Sequence, residues 1–295
     1  MSQILKGVYV ILPTPFDEQR RIDFASLKTL VDFELNAGVH GITLLGILGE
    51  VMRLSETEKR EITEAVVNQV KGRVPVVAGT GASGTDLAIM YGKEAEETGV
   101  DAIMAAPPRL LKPNDDSIFN YYRDIAKEVH LPIVIQDEPT TYGVHMSSSL
   151  IARLSTIERV DYVKLEDPPT PLKITTIRKF IEDKLGIFGG LGGLYFYEEL
   201  LRGACGIMTG FAYPEILMQI YGSFSTGERE SSRGLFYRAL PLIRYEAQPL
   251  VGLAIRKEIL RRRGLIKSAV LRDPATKLDA ESLKEIDELV KQGPA

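Results

Sequence analysis

Residues 161–170 read Asp-Tyr-Val-Lys-Leu-Glu-Asp-Pro-Pro-Thr, a short run that carries a lysine and a glutamate and stops at two prolines. The run is typical of a β-strand. A lysine within it is unusual, because strands favour β-branched and aromatic residues and a buried ammonium group is costly. Residues two apart on a strand point to the same side, so Lys164 and Glu166 share a face. An amine beside a carboxylate at a strand end suits Schiff-base chemistry. Taken alone, the stretch predicts equally well a buried ion pair that only supports packing.

The segments around this run repeat one pattern, in which an apolar strand is followed by a loop and a helix. Eight strands are predicted, at 7–12, 41–45, 74–78, 101–106, 131–136, the Lys164 run, 186–190 and 205–209, with helices at 23–37, 55–70, 85–98, 116–129, 147–154, 172–182 and 195–202. The strands are continuous apolar runs, as expected for parallel strands buried on both faces. Eight such units predict an α/β fold, specifically a (β/α)8 TIM barrel. A doubly wound open sheet is the alternative, but no dinucleotide-binding fingerprint follows the first strand.

After residue 212 the strand pattern does not return. Four helices are predicted there, at 214–222, 227–246, 250–263 and 280–291. We therefore expect a barrel over residues 1–212 and a C-terminal helical extension over 213–295. Active sites of such barrels lie at the carboxyl ends of the strands, which is where Lys164 falls. Its position at the carboxyl end of a barrel strand favours the catalytic interpretation over the structural ion pair.

Composition excludes several other classes of function. The chain has 295 residues and a net charge of −4, so no basic surface predicts binding to nucleic acid or to a membrane. A single cysteine, Cys205, excludes an internal disulfide and fits a reducing cytoplasm. No signal segment or long apolar span is visible, so a cytoplasmic protein is expected. The three histidines are scattered without metal-ligand spacing, so no metal site is predicted.

The motifs at the strand ends resemble those of the dihydrodipicolinate synthase / N-acetylneuraminate lyase family. They are Thr14-Pro-Phe16, Gly46-x-x-Gly-Glu50, Pro139 with Gly143, Lys164, and Leu271-Arg-x-Pro274 in the extension. The resemblance implies that Lys164 forms an imine with the ketone of a small-molecule 2-oxo acid. The lysine imine would then be the only covalent carrier, with no separate cofactor. The resemblance also implies a homotetramer.

Three departures from the family pattern narrow the expected reaction. Ile47 and Leu48 replace the usual two threonines, and Gln136 replaces the strand-five tyrosine that serves as a proton shuttle. Thr141 stands where dihydrodipicolinate synthases place a substrate-binding arginine. An amide cannot act as a general acid or base near neutrality, so Glu166 becomes the candidate for proton transfer. Dihydrodipicolinate synthase activity is disfavoured on these grounds.

Three motifs resemble the family's 2-keto-3-deoxy sugar-acid dehydratases: Gln136-Asp-x-Pro139, the Lys164 run, and Gly189-Gly-Leu-Gly-Gly193. Dehydration of such an acid is therefore the predicted reaction. One alternative is a pyruvate-dependent aldolase of the 2-keto-3-deoxy acid or N-acetylneuraminate type, and another is dihydrodipicolinate synthase itself. A non-catalytic barrel that binds a 2-oxo acid is the remaining alternative.

Substrate contacts are predicted at several strand ends. Backbone N–H groups around Gly46, Ile47, Leu48 and Gly49 would bind the carboxylate, because a main-chain anion site needs no particular side chain. Thr209, Gly189 and Gly190 are expected near the hydroxylated tail, where glycine permits close approach. Gln136, Arg109 and Tyr142 complete the predicted set. Arg109 could equally be a solvated loop charge. For Tyr142, the alternative to a gating or proton-transfer role is packing against a neighbouring subunit.

Overall fold

The computed structural model describes residues 5–109 and 113–292. Its strands are β1 (Gly7–Ile11), β2 (Gly41–Leu44), β3 (Val76–Gly79), β4 (Ala102–Ala105), β5 (Ile133–Asp137), β6 (Val160–Leu165), β7 (Gly186–Gly189) and β8 (Gly206–Thr209). Each strand pairs in parallel with the next, and β8 pairs with β1, so the sheet closes into an eight-stranded barrel. The TIM-barrel prediction is confirmed, and the open-sheet alternative is wrong.

Helices fill the connections between strands and form the C-terminal extension. They are α1 (Phe24–Asn36), α2 (Glu56–Val70), α3 (Thr85–Thr98), α4 (Asp115–Glu128), α5 (Pro139–Tyr142), α6 (Ser148–Leu154), α7 (Thr170–Ile181), α8 (Phe196–Leu201), α9 (Pro214–Ser225), α10 (Arg229–Glu246), α11 (Gly252–Arg262) and α12 (Ala280–Gln292). Short 3-10 turns lie at Ile47–Gly49, Val51–Arg53 and Leu191–Gly193. The helix α5 falls in a segment predicted as loop. Pro139 opens it, and the Glu138 side chain accepts a hydrogen bond from Thr141 N, which together stabilise one helical turn.

Alternation along each strand divides the apolar side chains between two cores. Val163 and Leu165 point outward and join the large cluster between barrel and helices. Tyr162 points inward and packs with Tyr9 and Phe188, which belong to the cluster inside the barrel. Lys164 also points inward, one layer closer to the carboxyl end. Apolar side chains fill the inside of the barrel beneath Lys164. A site can therefore form above Lys164, at the carboxyl end of the barrel.

The C-terminal extension packs onto the barrel rather than standing apart from it. Ile220, Phe236, Ile255 and Ile286, from its four helices, belong to the same continuous apolar cluster as the outer faces of the strands. The boundary at residue 212 stays a prediction, because this shared core does not mark a division there. Within the described residues, no helix has the length and apolar character needed to cross a membrane.

Candidate active site

Lys164 is buried near the carboxyl end of β6, with 2% of its surface exposed. Its Nζ donates a hydrogen bond to Oε2 of Glu166, and the two groups form an ion pair. Glu166 follows the strand directly, and its main-chain N–H donates to Asp137 O at 2.8 Å, which continues the β5–β6 pairing by one residue. The predicted shared face of these two residues is thus present as a direct contact.

The β7 loop holds the carboxylate of Glu166 from the other side. Leu191 N donates to Glu166 Oε1 at 3.1 Å. A Cβ at Gly190 would lie 2.4 Å from Glu166 Cγ, so only glycine allows the carboxylate to occupy this place. The side chain of Glu166 is therefore fixed between the lysine and a backbone donor, as a proton-transfer group requires.

Gly189 has a similar role toward a second carboxyl group, on the helix side of β7. A Cβ there would lie 1.8 Å from Oε2 of Glu199, which is fully buried in α8. Glu199 accepts a hydrogen bond from Thr170 Oγ1 at 2.5 Å. Burial raises the pKa of Glu199 to about 8, so its carboxyl group is mostly protonated at neutral pH. Leu191 and Gly192 line the cavity at this point, whereas Gly189 and Gly190 do not. The predicted contact of Gly189 and Gly190 with the substrate tail stays a prediction.

A cavity of about 630 Å³ opens above Lys164 and Glu166. Its floor includes Lys164, Glu166 and Thr209, and Ile47 and Leu48 form one side. The extension supplies much of the remaining wall, with residues 246–248, 250, 252–253, 256, 271 and 274–276. Sequence reasoning missed this contribution. In the sequence, the Leu271-Arg-x-Pro274 motif was the feature that pointed to the extension. It supported the family resemblance, but no role in the site was predicted for it.

The loop after β2 borders the cavity with Ile47 and Leu48. Gly49 N donates to Gly46 O and Glu50 N to Ile47 O, both at 3.0 Å, so those two N–H groups are already used inside the turn. Ile47 and Leu48 line the cavity, whereas Gly46 and Gly49 do not. The predicted carboxylate site therefore narrows to the N–H groups of Ile47 and Leu48.

Glu50 anchors this loop to the extension through buried contacts. Its Oε1 accepts from Lys257 Nζ at 2.6 Å, and its Oε2 accepts from Arg272 N at 3.0 Å. The side chains of Glu50 and Lys257 are both fully buried. Burial lowers the pKa of Lys257 to about 8, although the Glu50 carboxylate opposes that change. The pair fixes the loop that carries the proposed carboxylate donors.

Gln136 and Tyr142 lie on the β5 side of the lysine. Gln136 is in register with Lys164, and 3% of its surface is exposed. The Tyr142 hydroxyl donates to Gln136 Oε1 at 3.4 Å, a long contact. Within the described chain, Gln136 Nε2 is buried and has no hydrogen-bond partner. Burial raises the pKa of Tyr142 above its usual value, so the hydroxyl keeps its proton.

Asp137 points to the opposite side of β5 and belongs to a different cluster. Its Oδ2 accepts from Lys173 Nζ at 2.6 Å, and the same ammonium donates to Asp167 Oδ2 at 2.8 Å and to Met146 O at 2.6 Å. Burial raises the pKa of Asp137 to about 6. This cluster ties β5, β6 and α7 together outside the barrel, so it supports the site without facing it.

Arg109 and Thr209 are the remaining predicted contacts. Arg109 is exposed in the loop between β4 and α4 and does not line the cavity. Thr209 ends β8 and lines the cavity floor. In the part of the chain that the structure describes, no group of three or more His, Cys, Asp or Glu side chains could hold a metal ion.

The chain is similar to known proteins over most of its length. The model of the dihydrodipicolinate synthetase family matches residues 4–293. An L-2-keto-3-deoxyarabonate dehydratase of Azospirillum brasilense is 28% identical over 286 residues, covering 95% of this chain and 92% of that protein. A 4-hydroxy-tetrahydrodipicolinate synthase of Methanopyrus kandleri is 33% identical over 245 residues, covering 81% of each chain. The crystal structure of a dihydrodipicolinate synthase from Rhodopseudomonas palustris is 34% identical, with a TM-score of 0.92 and coverage of 98% of this chain and 97% of that one.

Proposed function

The chain belongs to the dihydrodipicolinate synthetase family and is a lyase of that family, and we propose that it dehydrates a 2-keto-3-deoxy sugar acid through an imine on Lys164. The observation that carries the proposal is the buried pair of Lys164 and Glu166 on the floor of an open cavity. An amide, Gln136, stands beside the lysine where the family resemblance implies a tyrosine. The name of the Azospirillum relative supports the choice of substrate class.

Imine formation begins when Lys164 Nζ attacks the C2 carbonyl carbon of the substrate. Attack requires the neutral amine, and Glu166 is in direct contact to take its proton. That proton and a second one from the carbinolamine nitrogen, both carried by Glu166, pass to the C2 oxygen, which leaves as water and gives a protonated imine. The backbone N–H groups of Ile47 and Leu48 hold the C1 carboxylate during this step.

Elimination follows because the imine withdraws electrons from C3. The Glu166 carboxylate removes a C3 proton to give an enamine. The enamine expels the C4 hydroxyl, and Glu166 returns the proton to that oxygen, so a water molecule leaves. The unsaturated imine then loses a proton from C5 and gains one at C3, and the resulting C5 enol becomes an aldehyde as its hydroxyl proton moves to C4. Hydrolysis then frees Lys164 and a 2,5-dioxo acid, so the substrate loses one water overall.

Dihydrodipicolinate synthase is the second candidate, and the relatives favour it. Several are named 4-hydroxy-tetrahydrodipicolinate synthase, at 30–33% identity. The residues oppose it: Ile47, Leu48 and Gln136 supply no hydroxyl relay, and Thr141 lines the cavity where the family resemblance implies an arginine. An aldolase that releases pyruvate uses the same imine and is distinguished by its product.

Product analysis tests the proposal. The purified protein is incubated with 2-keto-3-deoxy-L-arabonate, and separately with pyruvate and aspartate semialdehyde. We expect a 2,5-dioxo acid from the first mixture and no condensation in the second. Pyruvate in the first mixture would establish the aldolase, and condensation in the second would establish the synthase.

We also propose that the chain assembles as a homotetramer, as the family resemblance implies. Light scattering on the eluted protein measures the mass directly. A mass of four chains supports the proposal, and the mass of one chain contradicts it.

A further inference from the structure

We propose that Gln136 determines specificity by donating a hydrogen bond from Nε2 to the C4 hydroxyl oxygen of the substrate, and that Tyr142 positions its amide. The inference rests on the proposed function, because it assigns a role within the same imine site. Gln136, which cannot carry a proton, thus recognises the substrate. Glu166 performs both proton transfers of the elimination, from C3 and to the C4 oxygen.

Gln136 lies next to the floor of the cavity, beside Lys164, but does not itself line the cavity. It is the register partner of Lys164 on the neighbouring strand, so the two side chains leave the sheet side by side. Glu138 follows it by two residues and lines the cavity, as does Lys164. Gln136 is therefore placed between two cavity residues, although it is itself almost fully buried.

The hydrogen bonds of the amide are incomplete. A glutamine amide can accept two hydrogen bonds at its oxygen and donate two from its nitrogen. Tyr142 supplies a donor to Oε1, whereas Nε2 has no acceptor among the described residues. A buried donor without a partner destabilises the fold. Retaining it beside a reactive lysine indicates that its acceptor arrives with the substrate.

The barrel geometry indicates which substrate atom is the acceptor. The donors proposed for the C1 carboxylate follow β2, which is four strands from β6 in the closed ring. The carboxylate therefore points across the barrel, away from β5. Glu166 is held on the β7 side of the lysine by Leu191 N, and Gln136 stands on the β5 side. Beyond the imine carbon, the first oxygen of the substrate is the C4 hydroxyl, which falls to the amide while C3 faces Glu166.

Tyr142 determines which end of the amide faces the substrate. The hydroxyl stays protonated and donates to Oε1, so Nε2 must point the other way. Tyr142 closes the helix α5, whose first residue, Pro139, follows Glu138 on the cavity side. The hydroxyl thus acts through Gln136, and Tyr142 is a positioning residue.

The experiment compares trapping of two ligands that differ only at C4. Borohydride reduction of the Lys164 imine is measured for 2-oxopentanoate and for 4-hydroxy-2-oxopentanoate in the wild type, Gln136→Met and Tyr142→Phe. We expect the wild type to prefer the hydroxylated ligand about 10- to 100-fold. Gln136→Met should abolish the preference, and Tyr142→Phe should reduce it. Tyr237→Phe is the matched control, since its hydroxyl contacts Glu198 at the surface.

The results separate this inference from the proposed function. Pyruvate has no C4, so its trapping reports only whether the variant is folded and its lysine reactive. An unchanged preference in both variants, with pyruvate still trapped, would overturn the role of Gln136. A parallel loss for pyruvate would also overturn it, because the amide would then act on the carboxylate or the imine. No adduct in the wild type with any 2-oxo acid would instead refute the proposed function.

Discussion

Replacing Glu166 by glutamine removes a charge and keeps the size of the side chain. Positioned acid–base groups contribute about 10²–10⁴-fold to rate. We therefore expect turnover of 2-keto-3-deoxy-L-arabonate to fall by about that factor, which corresponds to about 3–5 kcal/mol of transition-state stabilisation. Imine formation with pyruvate should persist at a lower rate, since Lys164 itself is unchanged but glutamine cannot take its proton.

The structure also predicts a cost in stability. The two carboxylate oxygens accept from two different donors, Lys164 Nζ and Leu191 N. Glutamine has only one such oxygen, so one of these donors must face its NH₂ group. We expect the free energy of unfolding to fall by about 1–3 kcal/mol. Urea unfolding measures this loss separately, so that a decrease in turnover is not confused with unfolding.

The assay pairs turnover with borohydride trapping in the same preparation. Glu138→Gln is the control, because Glu138 lines the same cavity. Among the described residues its side chain accepts only from Thr141 N, at 2.7 Å, a bond that an amide oxygen can also accept. We expect its turnover to stay close to that of the wild type. Wild-type turnover in Glu166→Gln would refute the assignment of proton transfer. An equal loss in both variants would show that overall cavity charge, rather than one carboxylate, is needed.

Three further predictions follow from packing and burial. Gly190→Ala should lower turnover at least about tenfold in kinetic assays, because the new Cβ displaces the carboxylate of Glu166. Gly222→Ala is the control: it lies at an open position in α9 and should stabilise the fold by about 0.5–1 kcal/mol in thermal melting. Burial raises the pKa of Glu199 to about 8, so its carboxyl group stays protonated to a higher pH in the folded protein than in the unfolded chain. The free energy of unfolding should therefore fall as the pH rises from about 4.5 to 8. Glu199→Gln should remove up to about 5 kcal/mol of that fall in urea unfolding curves, and an unchanged pH dependence would contradict it. Lys257→Met removes one partner of the buried Glu50 carboxylate, which keeps Arg53 and the Arg272 N–H, and should destabilise the protein by about 1–3 kcal/mol; wild-type stability would show that the pair is dispensable.

The barrel could be predicted because its signal is local. Each strand is an apolar run between loops, and eight parallel units have one common closed arrangement. The position of Lys164 then followed from alternation alone, since residues two apart share a face. Its contact with Glu166 needed no tertiary information.

The surroundings of the pair could not be predicted, because they depend on contacts between distant segments. Glu50 and Lys257 lie 207 residues apart, and neither residue indicates its partner in the sequence. The cavity wall from the extension likewise depends on where the last helices pack. The role of Gly190 in making room for the Glu166 carboxylate follows only from the position of that side chain, whereas its predicted contact with the substrate stays a prediction.

The most direct test of this account is mass analysis of the protein after borohydride reduction with pyruvate. We predict one reduced pyruvyl group per chain, located by peptide analysis on Lys164, and none on the Lys164→Arg variant, which keeps a cation beside Glu166. An adduct on another lysine, or no adduct on the folded wild-type protein, would contradict the assignment of Lys164 as the imine-forming residue.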